Sequence, residues 1–61
     1  MGDKFGQAEI LCNWGLLEEY RGELDTARDL YSQAERLFEE VGASSPKVEI
    51  VREALERLEP P

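Results

Sequence analysis

Dense carboxylates are the first feature of this sequence that could do chemistry. Glu18-Glu19, Glu39-Glu40 and the set Glu49, Glu53, Glu56 and Glu59 place acids side by side or about one turn apart. Paired carboxylates can divide acid and base roles, and clusters of carboxylate oxygens can hold a hard cation. The remaining parts of either machinery are missing. There is no D-x-[DN]-x-[DN]-G loop, no Gly-rich phosphate loop and no nucleophile beside a base. The chain has no histidine, which removes His-based acid–base catalysis and zinc sites built from His and Cys. The acids therefore read as solvated helix faces. Neither a catalytic residue, a cofactor nor a metal ion is expected, and the protein is not expected to be an enzyme.

Two other features invite chemical readings. Cys12 is the single thiol, so no disulfide can form within the chain. It lacks a nearby histidine, and acids such as Glu9 oppose thiolate formation, so it reads as a small buried residue. Trp14 and Tyr31 could form an aromatic cage, but their helical spacing points to the core instead.

The elements that must position these residues are constrained by size and charge. At 61 residues the chain is one small domain, residues 1–61. A chain of this length buries only about 60% of the surface its unfolded form exposes. Such domains commonly add disulfides, a metal or a second subunit, and only the last is open here, so a homo-oligomer is expected. Leu, Ile, Val and Phe make up 15 residues, enough for a folded core. Fourteen acids against seven bases give a net charge of −7. That balance repels phosphate backbones and anionic lipid, so neither nucleic acid nor a membrane is an expected partner. No apolar run approaches the length of a membrane span, and no signal-peptide core follows Met1-Gly2-Asp3-Lys4-Phe5. With its unpaired cysteine, the chain is expected in the cytoplasm.

Apolar periodicity predicts three helices, at about 4–21, 24–41 and 46–58. In the first, Ala8, Leu11, Cys12 and Gly15 recur at three- and four-residue steps, and Ile10, Trp14 and Leu17 form a second stripe beside them. A helix apolar on two stripes should meet neighbours on two sides. Gly22 ends it, with Arg21 in the last turn. The second helix carries the cleanest stripe: Leu24, Ala27, Leu30, Tyr31, Ala34, Leu37, Phe38 and Val41. The break Gly42-Ala43-Ser44-Ser45-Pro46 follows, with Ser45 as N-cap and Pro46 in the first helical position. The third helix aligns Val48, Val51, Leu55 and Leu58, offers Glu53–Arg57 and Arg52–Glu56 as pairs four apart, and is stopped by Pro60-Pro61. The expected fold is all-α: an antiparallel helical hairpin with a third helix packed back across it.

From Ala8 to Glu40 the residues resemble a tetratricopeptide repeat, a 34-residue helix–turn–helix. Leu11, Trp14 and Gly15 match its first helix, Gly22 its turn, and Leu24, Ala27, Tyr31, Ala34 and Leu37 its second. Small residues at 15, 27 and 34 would let backbones approach, with Trp14 and Tyr31 filling the space beside them. Two positions depart: Glu18 stands where the family commonly has Tyr, and Glu39 where it commonly ends on Pro. The third helix then resembles the capping helix of such arrays.

The resemblance implies a protein–protein interaction module whose first helix presents an apolar face to a peptide or partner subunit. It assigns partner binding to Glu9, Cys12, Asn13, Leu16, Glu19 and Tyr20, with Glu9 and Glu19 at an acidic rim. Of the places where some family members clamp a C-terminal carboxylate, only Asn13 matches, so that activity is not expected. Against this stands a structural reading. The face would serve a homo-oligomer with no separate ligand, while Cys12 and Leu16 pack on the third helix or across a dimer. One repeat falls short of the three or so that stack stably. Self-association, membership of a larger array or the cap helix could each make up the difference.

Overall fold

The computed structural model describes residues 3–59. The Met1-Gly2 start and the Pro60-Pro61 stop lie outside the described residues. Three helices follow in order: α1 (Lys4–Tyr20), α2 (Leu24–Val41) and α3 (Pro46–Leu58). Among the described residues there is no strand. The fold is the expected all-α one, a hairpin of α1 and α2 with α3 laid mainly on α2. No helix of the described residues is long and apolar enough to cross a membrane.

Both hairpin helices end the same way. Gly22 and Gly42 follow the last helical turns at φ of 86° and 64°, a left-handed backbone that side chains with a β-carbon resist. At the first turn Gly22 N–H donates to the Glu19 carbonyl and Glu23 N–H to that of Glu18. At the second, Gly42 N–H donates to Glu39 and Ala43 N–H to Phe38. Each pair is a Schellman closure that satisfies carbonyls the helix would otherwise leave open. The first helix stops one residue before the predicted limit, because Arg21 is its cap rather than part of its last turn. For α3 the Ser45 hydroxyl accepts from the Lys47 N–H at 3.2 Å, and Pro46 occupies the first turn.

Where the helices meet, small residues alternate with a few large ones. Ala8 and Cys12 of α1, Ala27, Tyr31, Ala34 and Phe38 of α2, and Val51 and Ala54 of α3 form one buried cluster. Gly15 is buried as well, against the Tyr31 ring. The small residues expected at the helix contacts, 15, 27 and 34, are all buried. Leu11, Leu37, Val48, Leu55 and Leu58 pack around the edge. Phe5 meets Phe38 edge-on, with ring centroids 5.7 Å apart.

Two expectations need correction. Trp14 was expected in the core beside Tyr31, but it is 50% exposed. The space beside Gly15 is filled by Tyr31 alone, so the indole remains outside. Arg57 was expected to pair with Glu53 on its own helix. Its guanidinium instead spans to Glu19 on α1, where a carboxylate accepts two hydrogen bonds at once.

Candidate interaction face

The residues expected to bind a partner divide into three groups. Cys12 lies wholly in the core. Burial pushes its thiol pKa up, the ammonium of Lys47 partly offsets this, and Glu9 adds to the rise, so the thiol is kept protonated. Asn13 and Glu19 hold the third helix. Lys47 donates to the Asn13 amide oxygen at 2.9 Å. Arg57 donates to both Glu19 oxygens at 2.8 and 2.9 Å, and the Tyr31 hydroxyl donates to Glu19 at 2.8 Å. Leu16 and Tyr20, four residues apart and on one side of α1, are open, and Glu9 is half-buried.

The electrostatics of the Glu19 cluster follow from that geometry. The Arg57 hydrogen bonds hold the Glu19 carboxyl below its usual range, against the opposing effect of burial. Tyr31 is pushed far up, first by burial and then by its bond to the Glu19 charge. Arg57 is raised in turn by its carboxylate partner. One carboxylate therefore ties all three helices together: its own on α1, Tyr31 on α2 and Arg57 on α3.

Glu18 was expected on a solvated helix face, and as a departure from the repeat pattern; the first expectation needs correction. The structure shows it buried, accepting from the Trp14 indole N–H at 3.2 Å and from Arg21 at 3.3 Å. The i, i+4 and i, i+3 spacing of these partners could have announced the cluster. With its N–H bonded to Glu18, the half-exposed Trp14 presents ring carbon outward.

The apolar stripe beside it is open to solvent. Ile10 is 64% exposed, Leu17 54% and Tyr20 91%. The neighbour on a second side that this stripe requires is not supplied by α2 or α3. On α1 the small residues Ala8, Cys12 and Gly15 are inside, while Ile10, Trp14, Leu16 and Leu17 face out. Among the described residues no three acids or thiols converge as metal ligands. Three surface hollows are shallow. They lie along the α2–α3 side, between Ala43 and Arg52 and beside Arg28 and Leu55, away from this stripe.

No family model matches the sequence, and no curated protein or solved structure is significantly similar to it.

Proposed function

We propose that the chain is a protein–protein interaction module of the tetratricopeptide type, with the outward face of α1 as its docking surface. The observation that carries this reading is the exposure of Ile10, Trp14, Leu16, Leu17 and Tyr20 together on one helix, whose own buried residues are the small Ala8, Cys12 and Gly15 together with Glu18. Single exposed apolar residues are ordinary, but contiguous patches of several hundred Å² mark contact surfaces. Aromatic and aliphatic anchors of this kind dominate the energetics of interfaces once water is excluded from them. The resemblance of Ala8 to Glu40 to the repeat supports the same reading, because it supplies the rigid helix pair on which such a face is presented. The partner is a protein or peptide segment, and the setting is the cytoplasm.

Relative to the sequence-based assignment, the docking surface is rotated around α1. Leu16 and Tyr20 remain in it. Cys12, Asn13 and Glu19 contribute by holding the scaffold, and Ile10, Trp14 and Leu17 join the contact. The test is a benzophenone photo-crosslinker placed at Tyr20, with the same group at Glu53 on the exposed side of α3 as the comparison. Discrete protein adducts are expected from position 20 and not from 53, and they should disappear in a Leu16→Arg background. Adducts from 53 alone, or adducts indifferent to Leu16→Arg, would overturn the assignment.

A further inference from the structure

Resting on that reading, we infer that the occupant of the α1 face is a second copy of this chain, docked antiparallel with Trp14 at the two-fold axis. Three independent properties of the face point to it.

The spacing is self-complementary. Gln7, Ile10, Trp14, Leu17 and Arg21 follow one another at steps of 3, 4, 3 and 4, the repeat that keeps one seam facing a partner helix. In an antiparallel pair centred on Trp14, residue numbers across the axis sum to about 28. Trp14 meets Trp14, Ile10 falls opposite Leu17, and Gln7 falls opposite Arg21. A large aliphatic residue thus lies on each side of the central ring in both copies, as an isologous interface requires.

The charge is arranged to allow it. A chain of net charge −7 repels its own copies, yet 11 of its 14 acids lie outside α1. Of the three within it, Glu18 is bonded to Arg21 and Trp14, and Glu19 to Arg57. Glu9 is adjacent to Ile10 in sequence and so turns about 100° away from it around the helix. That puts Glu9 at the rim of the face, beside Leu16 and Tyr20, as the one carboxylate of α1 that no hydrogen bond or ion pair compensates.

The area is sufficient. Large aromatic and aliphatic side chains carry on the order of 150–250 Å² each. At the exposures of Ile10, Trp14, Leu16, Leu17 and Tyr20, on the order of 600 Å² stays open on each copy. That reaches the small end of specific interfaces, which take about 600–1,000 Å² from each partner.

Sedimentation equilibrium from micromolar to millimolar concentration is the test, and reversible association to a species of twice 7.0 kDa is expected. The melting temperature should rise with protein concentration. Ile10→Lys and Leu17→Lys replace exposed residues and should leave the helical circular dichroism of the monomer intact. Each should weaken association on the order of thirtyfold. Orientation is read by mixing Gln7→Cys with Arg21→Cys under mild oxidation. A 7-to-21 cross-link should form in the mixture, with neither variant cross-linking to itself. Self-cross-links at 7 and at 21 would overturn the antiparallel arrangement. A wild-type monomer at all concentrations would overturn the second copy as occupant. The mass of the Tyr20 photo-adduct then separates the two readings. Twice the chain mass supports the second copy, another mass overturns it while leaving the docking face standing, and no adduct overturns both.

Discussion

Gly15 lies flat against the ring of Tyr31: a β-carbon at position 15 would sit 2.9 Å from two of its ring carbons. The ring cannot retreat easily, because Tyr31 is fully buried and its hydroxyl is tied to Glu19. Gly15→Ala therefore sets a helix-propensity gain of about 1 kcal/mol against an overpacking cost of about 1–3 kcal/mol. Net destabilisation of about 1 kcal/mol is expected in urea denaturation. Gly6 supplies the contrast. A β-carbon there would meet only the carboxylate end of Asp3, an exposed side chain that can swing away. Gly6→Ala should stabilise by about 0.5 kcal/mol. Equal effects at the two positions would contradict the close approach of α1 and α2.

The Glu19 cluster predicts an acid-sensitive contribution to stability. The carboxyl is held below its ordinary value of 4.5, chiefly by the hydrogen bonds from Arg57. A depressed folded-state pKa gives stability that is present above the unfolded value, about pH 4.5, and lost as pH falls through the folded one. The Arg57 side chain is half-exposed, which limits the pair through screening, so Glu19→Gln should cost about 1 kcal/mol at neutral pH. Measured by denaturation across pH, the gap between wild type and Glu19→Gln should hold steady from neutrality to about pH 5 and then close. A gap that persists at pH 2 would show that the charge on Glu19 is not the source.

At the other end of the scale the limiting group is Tyr31. Burial raises its pKa well above the ordinary 10.0, and the Glu19 charge raises it further. Folding then holds a proton that the unfolded chain releases, so stability is complete below about pH 10 and declines above it. A Tyr20→Phe variant leaves Tyr31 as the one tyrosine. Its phenolate absorbance should appear together with the loss of helical circular dichroism. Ionisation that precedes unfolding would mean that the hydroxyl is open to solvent.

What the sequence disclosed depended on whether the deciding contacts were local. The α2 stripe was legible because its apolar residues occupy one face: Ala27, Leu30, Tyr31, Ala34 and Phe38 are buried, while Leu24 and Val41 at its two ends are exposed. On α1 the apolar residues run most of the way round. Periodicity could not say which stripe faced inward, and Trp14 was placed on the wrong side of that choice. The Lys47–Asn13 and Arg57–Glu19 bonds join residues 34 and 38 positions apart. Local spacing offered Arg57 its neighbour Glu53 instead, and only the placement of α3 against α1 decides for Glu19. For the same reason local spacing did not show that Cys12 is buried in the core and that Asn13 and Glu19 bond to residues of the third helix.

The two helix-ending glycines give a prediction free of packing effects. A β-carbon at Gly22 or Gly42 would meet no heavy atom within 4 Å, so any cost of adding one comes from the backbone itself. A residue with a β-carbon pays about 1–2 kcal/mol to hold a left-handed conformation, and asparagine pays less than alanine. Gly22→Ala and Gly42→Ala should each destabilise by about 1 kcal/mol with an unchanged urea dependence, and the asparagine variants should recover part of that. The positions lie at opposite ends of an 18-residue helix, about 27 Å apart, so the double alanine variant should show the sum of the two losses. A neutral Gly22→Ala would mean that the chain between α1 and α2 turns without the left-handed residue. The Glu23-to-Glu18 hydrogen bond, at 2.8 Å, would then have to be broken or rebuilt.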